Sequence, residues 1–354
     1  MKRITVELSN PYDILIEHGL LNNAGEYIRQ LSDAKKAVIV TDSNVGPLYV
    51  GQVTDSLEKA GFSSEVFTFP AGESSKVLAT LSQILSFFAE NELSRSDMIV
   101  ALGGGVTSDI AGFAAAVYLR GTRFVSIPTS LLAQIDASVG GKTGCDIPQG
   151  KNLIGAFHQP SAVLIDPAAL DTLPRPVLCD GMAEAIKYGC IMSPRLFDSL
   201  AEKGTLQAEE LISECILLKK RLVEQDEKDL GDRMLLNFGH TLGHAIEKYY
   251  GFSGCTHGQA VSIGMAVMAL AGEKAGLTAP GSAEKIIAAA KAYGLPTSCG
   301  AKPTEIACIA GKDKKVLGGK LNLVLIRQIG DAFLYPIASD ELFGFISEPN
   351  WWRS

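Results

Sequence analysis

Little in this sequence is basic, cross-linked or membrane-like. Its 354 residues carry 32 Lys and Arg against 39 Asp and Glu, a formal net charge of −7. An acidic chain is a poor general partner for nucleic acid or an anionic membrane surface. It can still gather local cations around a small anion. No stretch supplies the ~18 uninterrupted apolar residues of a membrane helix. The opening Met1-Lys2-Arg3-Ile4-Thr5 begins no apolar run of the kind a secretion signal needs. The seven cysteines are scattered, with no Cys-x-x-Cys pair. That pattern fits reduced thiols in a cytoplasmic protein and excludes a small disulfide scaffold. There is no internal repeat and no low-complexity segment. Histidine is scarce, at five residues, so any clustering carries information.

What remains is an ordinary globular composition, 47% hydrophobic and 20% charged. The length suggests two domains by the prior of about 150 residues each. Residues 4–18 alternate apolar and polar, as two opening strands or a hairpin would. Strands and helices then alternate. Ala37-Val38-Ile39-Val40 reads as a buried strand, with a helix over 45–60. Ser64–Phe69 and 97–102 read as further strands, with helices to about 90 and over 106–119, and a strand over 123–127. This order predicts a mostly parallel sheet covered on both faces, with ligands at the carboxyl ends of its strands. Beyond about residue 160 long helical patterns take over: 178–192, 194–203, 207–226, 233–250, 257–276 and 282–293. Leu321–Ile326 reads as a short strand or hairpin within that region. The expected division is therefore an α/β domain over 1–160 and a helical domain over 161–354.

The stretch Gly103-Gly104-Gly105 follows one of the buried strands and precedes a helix. Glycine lets backbone N–H groups approach a ligand, and a helix start adds its positive end. The dinucleotide pattern Gly-x-Gly-x-x-Gly fails here, because Ser108 stands where the third glycine belongs. No acid lies about 20 residues on to take a ribose hydroxyl. The turn is either an anion site or a plain tight turn. Asp42, which closes an earlier strand, either takes the ribose or caps a helix. Gly140-Gly141-Lys142-Thr143-Gly144 and Gly150-Lys151-Asn152 place bases on flexible backbone. Neither forms a Walker loop, since Asp136 occupies the position of its first glycine. They serve a phosphate or carboxylate, or are solvated surface cations.

His240 and His244 are four apart on a helical pattern and so share a face. The interior of this pair lacks the glutamate of a metalloprotease helix. His257 follows a glycine-bounded loop. By spacing, His240, His244 and His257 make a three-imidazole zinc site, the alternative being a helix with one polar face.

Four motifs together carry more than any one alone. They are Gly103-Gly-Gly-Val-Thr-Ser-Asp109, Ile127-Pro-Thr-Ser-Leu-Leu-Ala-Gln-Ile-Asp-Ala-Ser-Val-Gly-Gly-Lys-Thr-Gly144, Gly150-Lys-Asn-Leu-Ile-Gly-Ala-Phe157 and Asn237-Phe-Gly-His-Thr-Leu-Gly-His244. With them the chain resembles the 3-dehydroquinate synthases from about Asp42 to Lys315. The resemblance implies a Rossmann-like α/β NAD-binding domain followed by an all-α metal-binding domain, as in glycerol dehydrogenases. It implies conversion of 3-deoxy-D-arabino-heptulosonate 7-phosphate to 3-dehydroquinate and phosphate, in the shikimate route to aromatic amino acids. NAD is consumed and regenerated in each turnover, and the metal is zinc or cobalt. The nearest alternative is another sugar phosphate cyclase, such as 2-deoxy-scyllo-inosose synthase.

The family's metal ligands match Glu184, His240 and His257, with Glu184 in Gly181-Met-Ala-Glu-Ala-Ile-Lys187. This replaces the three-histidine set, and His244 becomes a substrate-facing acid–base or hydrogen-bonding group. NAD contacts carry over to Asp42, Asn44, Glu73, Lys76, Gly103, Gly104, Gly105, Val106, Asp109, Thr129, Ser130, Lys142 and Lys151. Substrate contacts carry over to Asp136, Lys142, Asn152, Lys187, Lys219, Arg233, Asn237, His244 and, within Lys312–Lys315, Lys314. Arg120 is expected to reach the substrate phosphate of a neighbouring subunit, which implies a homodimer. Ser130 stands where threonine is common in the family, and both offer a hydroxyl.

Overall fold

A computed structural model of the chain describes residues 1–202, 206–311 and 320–353. The chain divides into two compact units, Met1–Pro174 with Lys219–Lys228, and Arg175–Leu218 with Asp229–Ser354. The strands of the first unit are β1 (Lys2–Val6), β2 (Tyr12–Ile16), β3 (Lys36–Asp42), β4 (Ser63–Phe69), β5 (Met98–Gly103), β6 (Arg123–Pro128), β7 (Lys142–Ile147), β8 (Gly150–Phe157) and β9 (Ala162–Ile165). Seven of them form one sheet in the order β1-β2-β9-β6-β5-β3-β4. Only the β1–β2 pair is antiparallel; every other neighbouring pair runs parallel. β7 and β8 form a separate antiparallel hairpin.

Both faces of the sheet are buried, as the unbroken apolar strands require. Successive strand residues point to opposite faces. Ile39, Val100 and Leu102 pack with Ile28 of α1 (Ala24–Leu31) and with Val53 and Leu57 of α2 (Gly46–Lys59). Val38, Val40, Ile99 and Ala101 pack on the other face, against Ile84 and Phe88 of α3 (Leu78–Glu90) and Ile110 and Ala114 of α4 (Gly105–Val117). The chain passes from β3 outward to β4, then returns to place β5 on the other side of β3. This reversal opens a crevice outside the carboxyl ends of β3 and β5, the place where such sheets take ligands. Asp42 and Gly103 are the last residues of those two strands.

The units part at Pro174/Arg175, not at 160/161. The reason is β9, which lies beyond residue 160 yet sits between β2 and β6 in the sheet. The following turn is also tied in, since the Tyr49 hydroxyl donates to the Ala169 carbonyl at 3.2 Å. The flexible loops expected at Lys142 and Lys151 are instead the two strands of the β7–β8 hairpin.

The second unit contains α5 (Arg175–Met192), α6 (Pro194–Ala201), the start of α7 (Ala208–Gln225), α8 (His240–Tyr249), α9 (His257–Lys274), α10 (Ser282–Ala292), α11 (Pro303–Gly311) and α12 (Leu342–Ile346). It is not all-α. β10 (Lys320–Gln328) and β11 (Asp331–Ala338) pair as an antiparallel hairpin, which the Leu321–Ile326 pattern anticipated. The helix expected over 233–250 is broken. A 3-10 turn covers Asp232–Asn237, and Gly239 at φ 78° starts α8 afresh. A Cβ on Gly239 would stand 2.7 Å from the Val261 carbonyl oxygen. Glycine there satisfies both the left-handed backbone and the close approach to α9. α9 is buried from Ala260 through Ala269 on every face, as a central helix must be. Among the described residues no helix is long and apolar enough to cross a membrane.

Candidate active site

In the second unit three residues converge. Glu184 projects from the middle of α5 and is fully buried. His240 is the first residue of α8 and His257 the first of α9. Glu184 Oε1 lies 3.4 Å from Nε2 of His240 and 3.4 Å from Nε2 of His257. The donor atoms of all three fall within 4.8 Å of one another. Nδ1 of His240 sits 3.1 Å from the Phe238 carbonyl. A carbonyl only accepts, so that nitrogen carries the proton and Nε2 keeps its lone pair. Lys187 pairs with Glu184 one turn along α5. Yet both carboxylate oxygens of Glu184 are buried without a well-directed hydrogen bond. Such groups are costly unless something else satisfies them. Two imidazoles and a carboxylate with a further position open is the donor set of a catalytic zinc-type cation.

His244 does not join His240 in this set. Its ring stands 5.6 Å from that of His240 and 6.1 Å from that of His257, but its donor atom groups with those of Glu247 and His257. The three-histidine cluster inferred from spacing is therefore replaced by one that uses Glu184, from a helix 56 residues upstream. Helix spacing puts His240 and His244 on one face but does not say which nitrogen faces inward.

α9 is placed by its cap. Thr256 and Gln259 form a capping box, and Asp180 Oδ1 accepts from the Thr256 hydroxyl at 2.5 Å and the Gln259 N–H at 3.3 Å. Asp180 is one turn before Glu184, so α5 fixes both the ligand carboxylate and the helix that carries His257. Of the other expected residues, Lys187 and Arg233 are buried and His244 and Asn237 half-buried. Asn237 Nδ2 donates to the Met234 carbonyl at 3.0 Å. Lys314 lies outside the described residues.

Burial would raise the Glu184 carboxyl, but Lys187 and His240 outweigh it and hold it well below the usual carboxylate range. Burial keeps His240 below its ordinary value despite the pull of Glu184. Burial also works against the His257 imidazolium, but Glu184 and Glu247 outweigh it and push that ring up to about 10. A cation that takes Nε2 of His257 must therefore displace a proton at neutral pH, whereas His240 has none to lose. The sign follows: with the raised group protonated below about pH 10, metal affinity rises with pH. Calorimetric titration of metal-free protein with Zn2+, in buffers of different ionisation enthalpy, is expected to find about one proton released and about tenfold tighter binding at pH 8 than at pH 7. Affinity independent of pH over that interval would refute it.

In the first unit the glycine turn opens α4, and no side chain caps that helix. Its first N–H groups, from Gly105 and Val106 onward, have no intrahelical acceptor, an arrangement that favours an anion. Asp42 stands across the crevice. Its Oδ1 accepts from the N–H groups of Asn44 at 2.9 Å and Val45 at 3.1 Å, and its Oδ2 from the Thr107 hydroxyl at 3.3 Å. Asp42 thus shapes the turn that follows its strand, and a carboxylate retains acceptor capacity for a hydroxyl. The Thr129 N–H donates to the Gly103 carbonyl at 2.9 Å, and Ser130 borders Gly104.

A basic cluster lies on the same unit. Lys76 is buried, pairs with Asp109 and donates to Asn152 Oδ1 at 2.6 Å. Burial works against its charge, but Asp109 and Glu73 outweigh it and hold the ammonium above its ordinary value. Asn152 adopts φ 52°, a left-handed backbone that costs energy in a strand, and its N–H donates to Asp146 Oδ1 at 2.7 Å. Lys151 pairs with Glu73 at 3.5 Å, Lys219 pairs with Asp136, and Lys142 opens β7 exposed. Arg120 takes part in none of these pairings. It is exposed, at φ 66°, beyond the far end of α4. Thirteen helical residues separate that end from the glycine turn, about 20 Å at 1.5 Å per residue.

Residues 66–179 match the family described as 3-dehydroquinate synthase N-terminal, and residues 181–316 match 3-dehydroquinate synthase C-terminal. The chain belongs to the 3-dehydroquinate synthase family. The 3-dehydroquinate synthase of Clostridium acetobutylicum is 45% identical, over 98% of this chain and 99% of its own. That of Clostridium perfringens is 47% identical, over 95% and 98%. Among solved structures, 2-epi-5-epi-valiolone synthase from Streptomyces hygroscopicus, with NAD+ and Zn2+ bound, is similar at TM-score 0.86 and 28% identity, over 96% of each chain. A 2-deoxy-scyllo-inosose synthase complexed with carbaglucose-6-phosphate, NAD+ and Co2+ gives TM-score 0.87 at 24% identity, over 98% of this chain and 99% of that one, a likeness of fold.

Four residues of this 3-dehydroquinate synthase family member escaped the sequence reading: Thr107, Asp146, Asp180 and Glu247. Thr107 lies inside the glycine motif, and Asp180 and Glu247 lie one helical turn from Glu184 and His244. Those spacings were the available signals.

Proposed function

We propose that this chain is an NAD- and metal-dependent 3-dehydroquinate synthase. It converts 3-deoxy-D-arabino-heptulosonate 7-phosphate to 3-dehydroquinate and phosphate. The observation that carries the reading is the convergence of His240 and His257 on the fully buried Glu184 carboxylate, in a chain of this family. The open Gly104–Val106 helix start and Asp42 at the sheet's switch point support the NAD assignment. A divalent cation on the three donors would polarise substrate hydroxyls, and NAD would accept and return a hydride.

The chain's own part is position and charge. Glu184 and the Nε2 atoms hold the cation. Gly103 to Val106, Thr129 and Ser130 hold the pyrophosphate side of NAD, and Asp42 and Asn44 its ribose. Glu73, Lys76, Asp109, Lys142 and Lys151 complete that set. Asp136, Asn152, Lys187, Lys219, Asn237 and Lys314 orient the substrate, with Arg233 gripping its carboxylate in bidentate fashion. His244, with an imidazole's range, moves a proton at a substrate hydroxyl. Arg120 is exposed beyond the end of α4, which fits action as a homodimer with Arg120 reaching the partner's substrate phosphate. Seven free cysteines support a cytoplasmic setting.

The test is phosphate release from the heptulosonate phosphate by metal-restored protein with catalytic NAD. We expect stoichiometric phosphate with no net gain in NADH absorbance. Accumulating NADH would make it a dehydrogenase, and turnover only of a sugar phosphate lacking the carboxylate would make it another cyclase. His257→Ala is expected to abolish both turnover and metal retention.

A further inference from the structure

The two ligand imidazoles of the proposed centre are held differently. His240 gives its Nδ1 proton to a backbone carbonyl. His257 faces a carboxylate: Glu247 Oε2 lies 3.4 Å from its Nδ1. Glu247 occupies the last turn of α8 and is buried, at 2% exposure. Nothing in the roles assigned above uses it. A carboxylate is seldom buried without a task that offsets its desolvation.

We propose that Glu247 is a positioning residue of the metal centre. Its carboxylate accepts the Nδ1 proton of His257, fixes that tautomer and ring orientation, and so presents the Nε2 lone pair beside Glu184. The anion opposite Nδ1 also raises the basicity of the ligand nitrogen. His257 thus stands between two carboxylates, one on each nitrogen, and only the Nε2 side also holds His240. The competing role for Glu247 is direct ligation, because His244, Glu247 and His257 form a second donor group. The two roles exclude each other at one atom: Nδ1 cannot both donate a proton to Glu247 and give its lone pair to a cation. The distances favour donation, since Nε2 already faces Glu184 at 3.4 Å while Nδ1 faces Glu247.

This inference rests on the metal-centre reading, so its test reads metal binding and fold rather than turnover. Metal-free full-length protein is titrated with Co2+ against a chromophoric chelator, with d–d spectra and thermal melts, for wild type, Glu247→Ala, Glu247→Gln and His257→Ala. Wild type should bind one Co2+ per chain. Glu247→Ala should bind one, about ten- to a hundredfold more weakly, the usual loss for an outer partner of a ligand. Glu247→Gln keeps an acceptor oxygen without the charge, and charge-assisted bonds are about twice as strong as neutral ones, so its loss should be about three- to tenfold. A merely structural Glu247 would lower the melting temperature and leave affinity and spectrum unchanged, which overturns the proposal. Two Co2+ per chain, one lost with Glu247, overturns it in favour of direct ligation. If the alanine variant fails to fold, wild-type affinity in Glu247→Gln overturns it. If His257→Ala keeps its metal, the centre itself has been misplaced. If His257→Ala loses metal while both Glu247 variants keep it, only this inference fails.

Discussion

Glu184→Gln should lose the metal and much of the stability of its unit at once. The side chain is fully buried, with Lys187 beside it at 1% exposure. An outer partner costs about ten- to a hundredfold in metal affinity, so removing a direct ligand should cost more than about a hundredfold. The amide also strands the Lys187 ammonium in the interior. Breaking a buried pair from one side costs about 3–5 kcal/mol, whereas replacing both members by apolar groups is often neutral. Three variants therefore separate the roles. Glu184→Gln should melt lower and bind no metal. Lys187→Met should melt lower, because the buried carboxylate then lacks its cation. The double variant with Lys187→Met and Glu184→Leu should recover most of the stability and still bind no metal. Metal retention in Glu184→Gln, measured by elemental analysis after dialysis, would sink the ligand assignment. A double variant no more stable than either single one would sink the account of Lys187 as its counter-charge.

The limits of the sequence follow from the range of each signal. Continuous apolar runs located β3 and β5, because both faces of those strands are buried. β9 escaped because four apolar residues, Ala162–Ile165, are too short to separate from a buried helix end by periodicity. The β7–β8 hairpin escaped because its glycines and lysines are poor strand formers; cross-strand pairing overrides that propensity. The break before His240 was readable only as a glycine, and what requires it is the backbone of α9, distant in sequence. The same holds at the proposed metal centre. A pair of histidines four apart is a local pattern, but only His240 of that pair joins the set, and the carboxylate it meets comes from α5. Glu184 entered through family resemblance, and nothing local distinguishes it from a solvated carboxylate. Asp180 and Glu247 are harder still. They act through a helix cap and a ring nitrogen, visible only once α5, α8 and α9 are packed.

Gly104→Ala should fold almost normally and lose NAD. Gly104 has φ −77°, a value any residue adopts. A Cβ there would meet only Ser130, with Oγ at 3.4 Å and Cβ at 3.9 Å, ordinary contact distances. Alanine at a helix N-cap costs about 1 kcal/mol or less relative to glycine. Nothing within the protein therefore demands glycine at 104, whereas a pyrophosphate drawn against the N–H groups of α4 would. Gly103→Ala is the contrast. Its Cβ would stand 2.4 Å from the Thr107 hydroxyl oxygen and 2.7 Å from the Thr107 Cβ. Thr107 is fully buried and donates to Asp42, so it must move and take the proposed ribose acceptor with it. Overpacking of this kind costs about 1–3 kcal/mol. Calorimetry with NAD beside thermal melts should thus show two signatures. Gly103→Ala loses stability and NAD together. Gly104→Ala keeps a melting temperature near wild type and binds NAD about ten- to a hundredfold more weakly, the same steric cost falling on the complex instead of the fold. Wild-type NAD affinity in Gly104→Ala would place the pyrophosphate elsewhere and return Gly103–Gly105 to the status of a tight turn.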